Sequence, residues 1–173
     1  MSRVVVVPHD ECWKQRFSSE SERILSAVEI VSLKLQHIGS TSIPGICAKP
    51  VVDVLGEVAS LDEIDGKNDV MVELGYEVRG EFGLKGRRYF SRDNEQGHRV
   101  FNVHIYKTGS SEIARHVAFR DYLLVHPDIA QKYSELKIAL AEKHPESIED
   151  YMDGKDAFIK RVEADAIRWQ GAA

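Results

Sequence analysis

The predicted fold depends on the sequence GSTSIPGICAKP, residues 39–50, and on VVDVLGEV, residues 51–58, which follows it directly. The first part is small, rich in hydroxyl groups and interrupted by two glycines and two prolines, which predicts a loop. The second part is apolar except for Asp53 and Glu57, which predicts a buried strand. Because side chains alternate along a strand, Asp53, Leu55 and Glu57 share one face of it.

Hydrophobic periodicity predicts an α/β half around this stretch. A helix is expected to begin after Asp10, with apolar positions that continue as far as Val31. Ser60 opens a capping-box pattern, which predicts a helix at residues 61–74. Short apolar runs predict the strands, which are residues 4–7, 33–38, 51–58, 76–78, 87–92 and 99–106.

From Ser110 onward the apolar period is that of helices, and Pro127 suits the first turn of one of them. We therefore predict an α/β (α+β) protein with a mixed sheet flanked by helices. Residues 1–108 are expected to form the α/β core and residues 109–173 a helical C-terminal subdomain. The two parts are expected to pack together as a single compact unit.

Composition narrows the class of protein. Among 173 residues, 23 Lys+Arg and 28 Asp+Glu give a net charge of −5, and 43% of the residues are hydrophobic. These values exclude a disordered polyelectrolyte and argue against broad nucleic-acid binding, although a local basic pocket stays compatible with them. No apolar run approaches the roughly 20 residues of a membrane span, and no signal peptide is recognised. With two cysteines and no disulfide framework, we expect a cytoplasmic protein.

The loop and the strand after it suggest a phosphate site. Gly39 and Ser40 at the end of a strand expose backbone N–H groups and a hydroxyl, which suit a phosphate oxygen. Asp53 lies among Val and Leu residues in the strand just beyond the loop, where its carboxylate needs a partner. It could bind a metal ion beside a bound triphosphate. The alternative is a glycine turn followed by an ordinary aspartate at the end of a strand.

Another strand supplies possible partners for Asp53. Asn102 and His104 share one face of the strand predicted at 99–106, and either could approach Asp53 if the two strands pair. Histidine is a poor ligand of Mg²⁺ but an acceptable one of Mn²⁺ or Zn²⁺. The alternative is a hydrogen-bonded structural histidine.

Several cations occupy positions that an anionic ligand could use. Arg88 lies in a basic segment, residues 79–99, which would bind an anion or simply be a solvated edge strand. Lys137 and Lys155 interrupt apolar helix stripes. Each of these lysines either extends its amine outward to solvent or meets an anion in a cleft.

The chain resembles the GrpB family, a group within the nucleotidyltransferase superfamily, and a domain similar to it is fused to some dephospho-CoA kinases. The resemblance covers nearly the whole chain. The matching motifs are HIGSTSIPGI at 37–46, AKPVVDV at 48–54, NVH at 102–104, FRDYL at 119–123 with His126-Pro127, YSELK at 133–137, and Tyr151, Lys155, Phe158 and Ile159, together with the aromatic residues Trp13 and Phe17.

This resemblance implies a nucleotidyltransferase-like core. In that superfamily the Gly-Ser pair holds the triphosphate, while two acids two residues apart and a third acid on a later strand bind two divalent ions. Asp53 matches the first acid, but Leu55 stands at the second position, and we place His104 at the third. If the chain binds a triphosphate, Gly39, Ser40 and Thr41 are expected to hold its phosphates, and the cations expected to stabilise its charge are Lys49, Arg88, Lys137 and Lys155.

The leading hypothesis is therefore an enzyme of nucleotidyl-transfer type that acts on a nucleoside triphosphate and an unknown small hydroxyl compound. Asp53 would be catalytic, and Asp53 and His104 would bind Mg²⁺ or Mn²⁺. The alternative is a non-catalytic protein that binds a nucleotide or another phosphorylated metabolite, which Leu55 favours. A module that assists a partner enzyme is a third hypothesis. No nucleic-acid or membrane partner is expected.

Overall fold

The computed structural model describes residues 3–172. Its strands are β1 (Lys34–Ile38), β2 (Val52–Val58), β3 (Glu77–Gly80), β4 (Arg88–Asp93) and β5 (Arg99–Lys107). They form one five-stranded sheet in the order β1-β2-β5-β4-β3. The central pair, β2 and β5, is parallel, and the other three pairs are antiparallel. The predicted mixed sheet is therefore confirmed.

The helices are α1 (Cys12–Val28), α2 (Leu61–Asp65), α3 (Asn68–Glu73), α4 (Ser111–Val125), α5 (Pro127–Lys143) and α6 (Ile148–Ala172). Pro127 occupies the first turn of α5, as predicted, where its missing N–H leaves no helical hydrogen bond unmade. None of the helices described here is long and apolar enough to cross a membrane.

Two compact units divide the chain. We call Cys12–Ile38 with Val51–Ile113 the sheet unit, which holds the five strands and α1 to α3. We call the remaining described residues, up to Glu11, Gly39–Pro50 and from Ala114 onward, the helical unit. The loop at residues 39–50 is thus grouped with the C-terminal helices, and the boundary predicted at residue 108 stays a prediction.

In the sheet unit, helices pack against one face of the sheet. Val54 and Val58 of β2 are fully buried on that face, with exposed fractions of 0%. Phe17 of α1 stacks on His37 of β1 with ring centroids 5.0 Å apart. Because side chains alternate along a strand, Asp53 lies on the opposite face of β2 from Val54 and Val58.

In the helical unit, a core cluster joins the loop to the helices. Its buried members are Ile43, Ile46, Leu123, Ala130, Tyr133 and Val162. The Tyr133 ring stacks on Phe158 with centroids 5.4 Å apart. Because the loop isoleucines are 2% exposed, burial of their apolar surface holds an otherwise irregular segment in place.

Three local predictions are wrong. The strand predicted at residues 4–7 is reduced to one bridge, between Val7 and Ala48. The helix predicted at 61–74 is two helices, because α2 ends at Asp65 and α3 begins at Asn68, although Ser60 caps α2 as expected. Val31 is fully exposed, because α1 ends at Val28 and Glu29 adopts a left-handed φ of 54°.

Candidate functional site

The sheet brings Asp53, Asn102 and His104 together. In the parallel ladder, Asp53 of β2 lies opposite Asn102 of β5. Asn102 Nδ2 donates to Asp53 Oδ1 at 3.4 Å, and His104 Nε2 lies 3.6 Å from the same oxygen. The expectation that Asn102 and His104 approach Asp53 if their strands pair is thereby confirmed. Asp53 is 31% exposed and so stays accessible to a ligand.

Two residues that sequence analysis did not assign to this group hold Asn102 in place. Tyr89 Oη donates to Asn102 Oδ1 at 2.7 Å, and Arg99 Nη1 donates to both Asn102 Oδ1 and Tyr89 Oη at 3.1 Å. These donors orient the amide oxygen toward them, so its NH₂ group faces Asp53. Tyr89 also stacks on His104 with ring centroids 5.1 Å apart. The register that places Tyr89 opposite His104 is a property of strand pairing, so no local pattern indicates it.

The donors around Asp53 do not fit the two-ion site that the family resemblance implies. Leu55 stands in the place of the second acid, is 1% exposed and offers no ligand atom. Within residues 3–172, no three His, Cys, Asp or Glu side chains are grouped so that they could hold a metal ion. A single ion would find two ligands, Asp53 and His104, and the imidazole would suit Mn²⁺ better than Mg²⁺.

Arg88 does not join this group. It alternates with Tyr89 along β4, so it lies on the other face of the sheet from Asp53. There its Nε and Nη2 form a bidentate pair with Asp65 of α2, at 2.6 and 3.1 Å. The guanidinium is therefore occupied by a structural ion pair, and this pair raises the pKa of Arg88 above its usual value.

The predicted phosphate loop is a tight turn in the helical unit. Gly39 has φ 75°, a conformation that favours glycine, and a short 3₁₀ turn follows at Ser40–Ser42. Ser42 Oγ donates to the Gly39 carbonyl at 2.5 Å, which closes the turn. Thr41 is 3% exposed, so its side chain belongs to the interior of the unit.

Three of the predicted lysines lie close to Cys47 or to Tyr151 in the helical unit. Lys137 Nζ donates to the backbone carbonyl of Cys47. Lys155 Nζ lies 4.7 Å and Lys49 Nζ 5.9 Å from the ring centroid of Tyr151. We call Lys49, Lys137 and Lys155 the lysine cluster. Lys137 is 1% and Lys155 7% exposed, so neither extends its amine outward to solvent.

Burial dominates the electrostatics of the lysine cluster. It is the largest cause of the lowered pKa of Lys137, which is about 7; Cys47 acts in the opposite direction, and the positive charges of Lys155 and Lys49 act in the same direction as burial. Burial also raises the pKa of Tyr151, whose hydroxyl has no hydrogen-bond partner among the described residues. Lys137 likewise has no carboxylate partner within residues 3–172. An anion placed here would supply the missing counter-charge.

The structure groups the predicted residues by unit. Asp53, His104 and Arg88 belong to the sheet unit, and Gly39, Ser40, Thr41 and the lysine cluster belong to the helical unit. That the two groups act on one ligand stays a prediction. Cys47 and Ser134 are additional members that the sequence did not indicate: Ser134 Oγ accepts from Cys47 N at 3.0 Å and so fixes the carbonyl that Lys137 contacts.

Comparison with known proteins gives consistent matches. The family profile described as GrpB protein covers residues 3–165. UPF0157 protein YqkA of Bacillus subtilis is 42% identical over 97% of this chain, which spans about half, 48%, of YqkA. The crystal structure of conserved protein GrpB from Enterococcus faecalis is 40% identical and has a TM-score of 0.90, covering 96% of this chain and 99% of that one. Dephospho-CoA kinase of Mycobacterium bovis is 25% identical over 95% of this chain and 48% of the kinase.

Proposed function

This chain belongs to the GrpB family, as its sequence predicts, and we propose that it binds a nucleoside triphosphate or another phosphorylated small molecule. The observation that carries this proposal is Lys137, a side chain 1% exposed that has no carboxylate partner among the described residues. The protonated form of a buried amine without a counter-ion is unfavourable, and an anionic ligand that supplies the negative charge would stabilise it. Lys49 and Lys155 add two further positive charges, which suits a ligand with several phosphates.

A divalent ion is a separate proposal, made for the sheet unit. Asp53 and His104 would hold it, with phosphate oxygens as its further ligands. Because only two protein ligands are available, we expect this ion to bind together with a phosphorylated molecule rather than alone.

Isothermal titration of ATP, GTP, CTP and UTP, with and without Mn²⁺ or Mg²⁺, tests the proposal. The variant Lys137→Met keeps the length of the side chain and removes its charge, and we expect at least about tenfold weaker binding in every metal condition. Lys132→Met is the matched control, because Lys132 is exposed on the same helix. Asp53→Asn is expected to remove only the part of the affinity that depends on metal. Absence of binding for all four nucleotides overturns the nucleotide proposal.

Nucleotidyl transfer is a second candidate function, favoured by the contact of Asp53 with Asn102 and His104. In such a transfer the oxygen of an acceptor hydroxyl forms a bond to the α-phosphorus, the bond to pyrophosphate breaks, and the hydroxyl proton passes to solvent. Release of pyrophosphate in the presence of small hydroxyl compounds measures it. We expect Asp53→Asn to abolish release, while an Asp53→Asn variant that releases pyrophosphate at the wild-type rate would leave only the binding function.

A further inference from the structure

The loop between β3 and β4 presents an aromatic ring to solvent. Phe82 is 59% exposed and its backbone has φ 46°. For a bulky residue this left-handed conformation is unfavourable by about 1–3 kcal/mol, and an exposed ring recovers little of that through burial. Such a residue contributes little to the stability of the fold. Its exposed ring is therefore a candidate for contact with a ligand.

Two arginines lie beside the rings of Phe82 and its neighbour Tyr89. The Arg79 guanidinium lies 5.3 Å from the centroid of Phe82 and 6.0 Å from that of Tyr89. The Arg87 guanidinium lies 5.1 Å from the centroid of Tyr89, and Tyr89 meets Phe82 edge to face at 5.4 Å. We call Arg79, Phe82 and Arg87 the loop platform. A planar ring beside guanidinium groups is an arrangement that binds nucleobases and phosphates.

The positive charge of the loop platform is only partly compensated. Arg79 pairs with Glu77 at 2.9 Å. Arg87 instead donates to the backbone carbonyls of Glu81 and Phe82, and it has no salt bridge within the part of the chain that is described. Its hydrogen bonds fix the guanidinium in position without cancelling its charge. Lys85 adds an exposed amine in the same loop.

The loop platform is continuous with the Asp53 group of the same unit. Tyr89 contacts Phe82 on one side, and on the other it stacks on His104 and donates to Asn102. Two ring contacts, of 5.4 and 5.1 Å, therefore connect the exposed Phe82 to His104. A molecule bound on Phe82 needs to extend only past Tyr89 to reach Asp53.

We propose that the loop platform binds a nucleoside monophosphate unit, with the base stacked on Phe82 and the phosphate bound by Arg87. Its role as the site of the acceptor molecule rests on the proposed function, whereas the binding itself does not. The same chemistry is offered by a free nucleotide and by the end of a single-stranded nucleic acid. The net charge of −5 argues against broad nucleic-acid binding but is compatible with this one local basic surface.

Titration of AMP, UMP and a five-nucleotide oligouridylate, without divalent metal, tests the proposal in wild type and variants. We expect Phe82→Ala to bind about five- to a hundredfold more weakly, since stacking of a base on an aromatic ring is worth that much. Phe82→Leu keeps an apolar side chain and should lose the same affinity, whereas Phe82→Trp should restore it. Arg87→Gln should weaken binding and reduce its dependence on salt.

Two control variants test whether a loss of binding is specific to the loop platform. Val72→Ala removes another exposed apolar side chain of the sheet unit, and Lys34→Gln removes another exposed cation of it. Both should bind as wild type does. If Lys137→Met loses triphosphate binding but keeps monophosphate binding, the lysine cluster and the loop platform are separate sites.

The two sources of ligand give different results, both of which support the proposal. Much tighter binding of the oligouridylate than of UMP identifies the end of a nucleic acid, and equal affinities identify a free nucleotide. Absence of binding for all three probes overturns the proposal. Binding that Phe82→Ala and Phe82→Leu leave unchanged also overturns it.

Discussion

The two units differ in how they accommodate a buried charged side chain, Glu20 in the sheet unit and Lys137 in the helical unit. Glu20 of the sheet unit is 4% exposed; its carboxylate accepts from Arg23 at 2.8 Å and from Tyr76 Oη at 2.5 Å, and Arg92 Nε lies 3.1 Å away. Lys137 of the helical unit is 1% exposed and donates to a single carbonyl, that of Cys47. A buried charge with a full set of partners serves the fold, whereas one without a counter-ion points to a ligand.

The pKa directions express the same difference. Burial alone would raise the pKa of Glu20, but hydrogen bonds from Arg23 and Tyr76, together with the charge of Arg92, lower it below its usual value. For Lys137, burial is the largest cause of a pKa lowered to about 7, and no carboxylate among the described residues opposes it. Partners therefore outweigh desolvation in the sheet unit, and desolvation outweighs partners in the helical unit.

The largest expected effect comes from removing the paired carboxylate. Glu20→Ala should lower the free energy of unfolding by about 3–5 kcal/mol, because it leaves Arg92 and Tyr76 without their partner. Since the folded pKa of Glu20 is lowered, its contribution is present above about pH 4.3 and is lost as the pH falls through the folded value. Urea unfolding at several pH values measures both. Glu22→Ala, at an exposed position of α1, is the control, and equal losses in the two variants would contradict the comparison.

Lys137 should show the opposite dependence on pH. Between about pH 7 and about pH 9 the unfolded chain holds a proton that folded Lys137 releases, so the stability of wild type relative to Lys137→Met should rise by about 2 kcal/mol. The groups that set this behaviour are Lys155, Lys49 and Cys47. Urea unfolding of both proteins across this range checks it. A difference that does not change with pH would mean that Lys137 is charged throughout.

A smaller loss of stability is expected when the hydrogen bond between Cys47 of the loop and Ser134 of α5 is removed. Ser134→Ala removes the acceptor of the buried Cys47 N–H and should lower the free energy of unfolding by about 1–3 kcal/mol. Because this bond positions the carbonyl that Lys137 contacts, triphosphate affinity should fall as well. Thermal unfolding and calorimetric titration measure the two effects. Glu135→Ala, exposed on the same helix, should change neither.

The smallest effect is expected at an ion pair on the surface. Lys160 Nζ lies 2.8 Å from Asp156, and both side chains are exposed. Solvent screens this pair, so Lys160→Ala should leave the midpoint of urea unfolding unchanged within error. A clear shift of that midpoint would show that this exposed ion pair does stabilise the protein.

Much of the fold and part of the site followed from local pattern. The alternation of Asp53 with its apolar neighbours and the run to His104 predicted two strands and the faces of their polar residues, and the sheet confirmed both. The break at Gly66 was missed because a helical period continues across it, while the chain makes two short helices there. Arg88 was placed among the ligand contacts on charge alone, and the partner that occupies it, Asp65, lies 23 residues away in sequence.

By itself, the sequence determined the five strands of the sheet, the three C-terminal helices and the residue types that they carry, because these depend on periodicity and on neighbours within a few positions. It also determined the family. Tertiary structure alone decided which of these side chains meet. The Tyr89–Asn102 hydrogen bond requires the register of β4 on β5, and the contact of Lys137 with the Cys47 carbonyl joins positions 90 residues apart. Partners of a charge, and therefore its pKa, are set by such distant contacts, which burial and strand pairing create only in the folded chain.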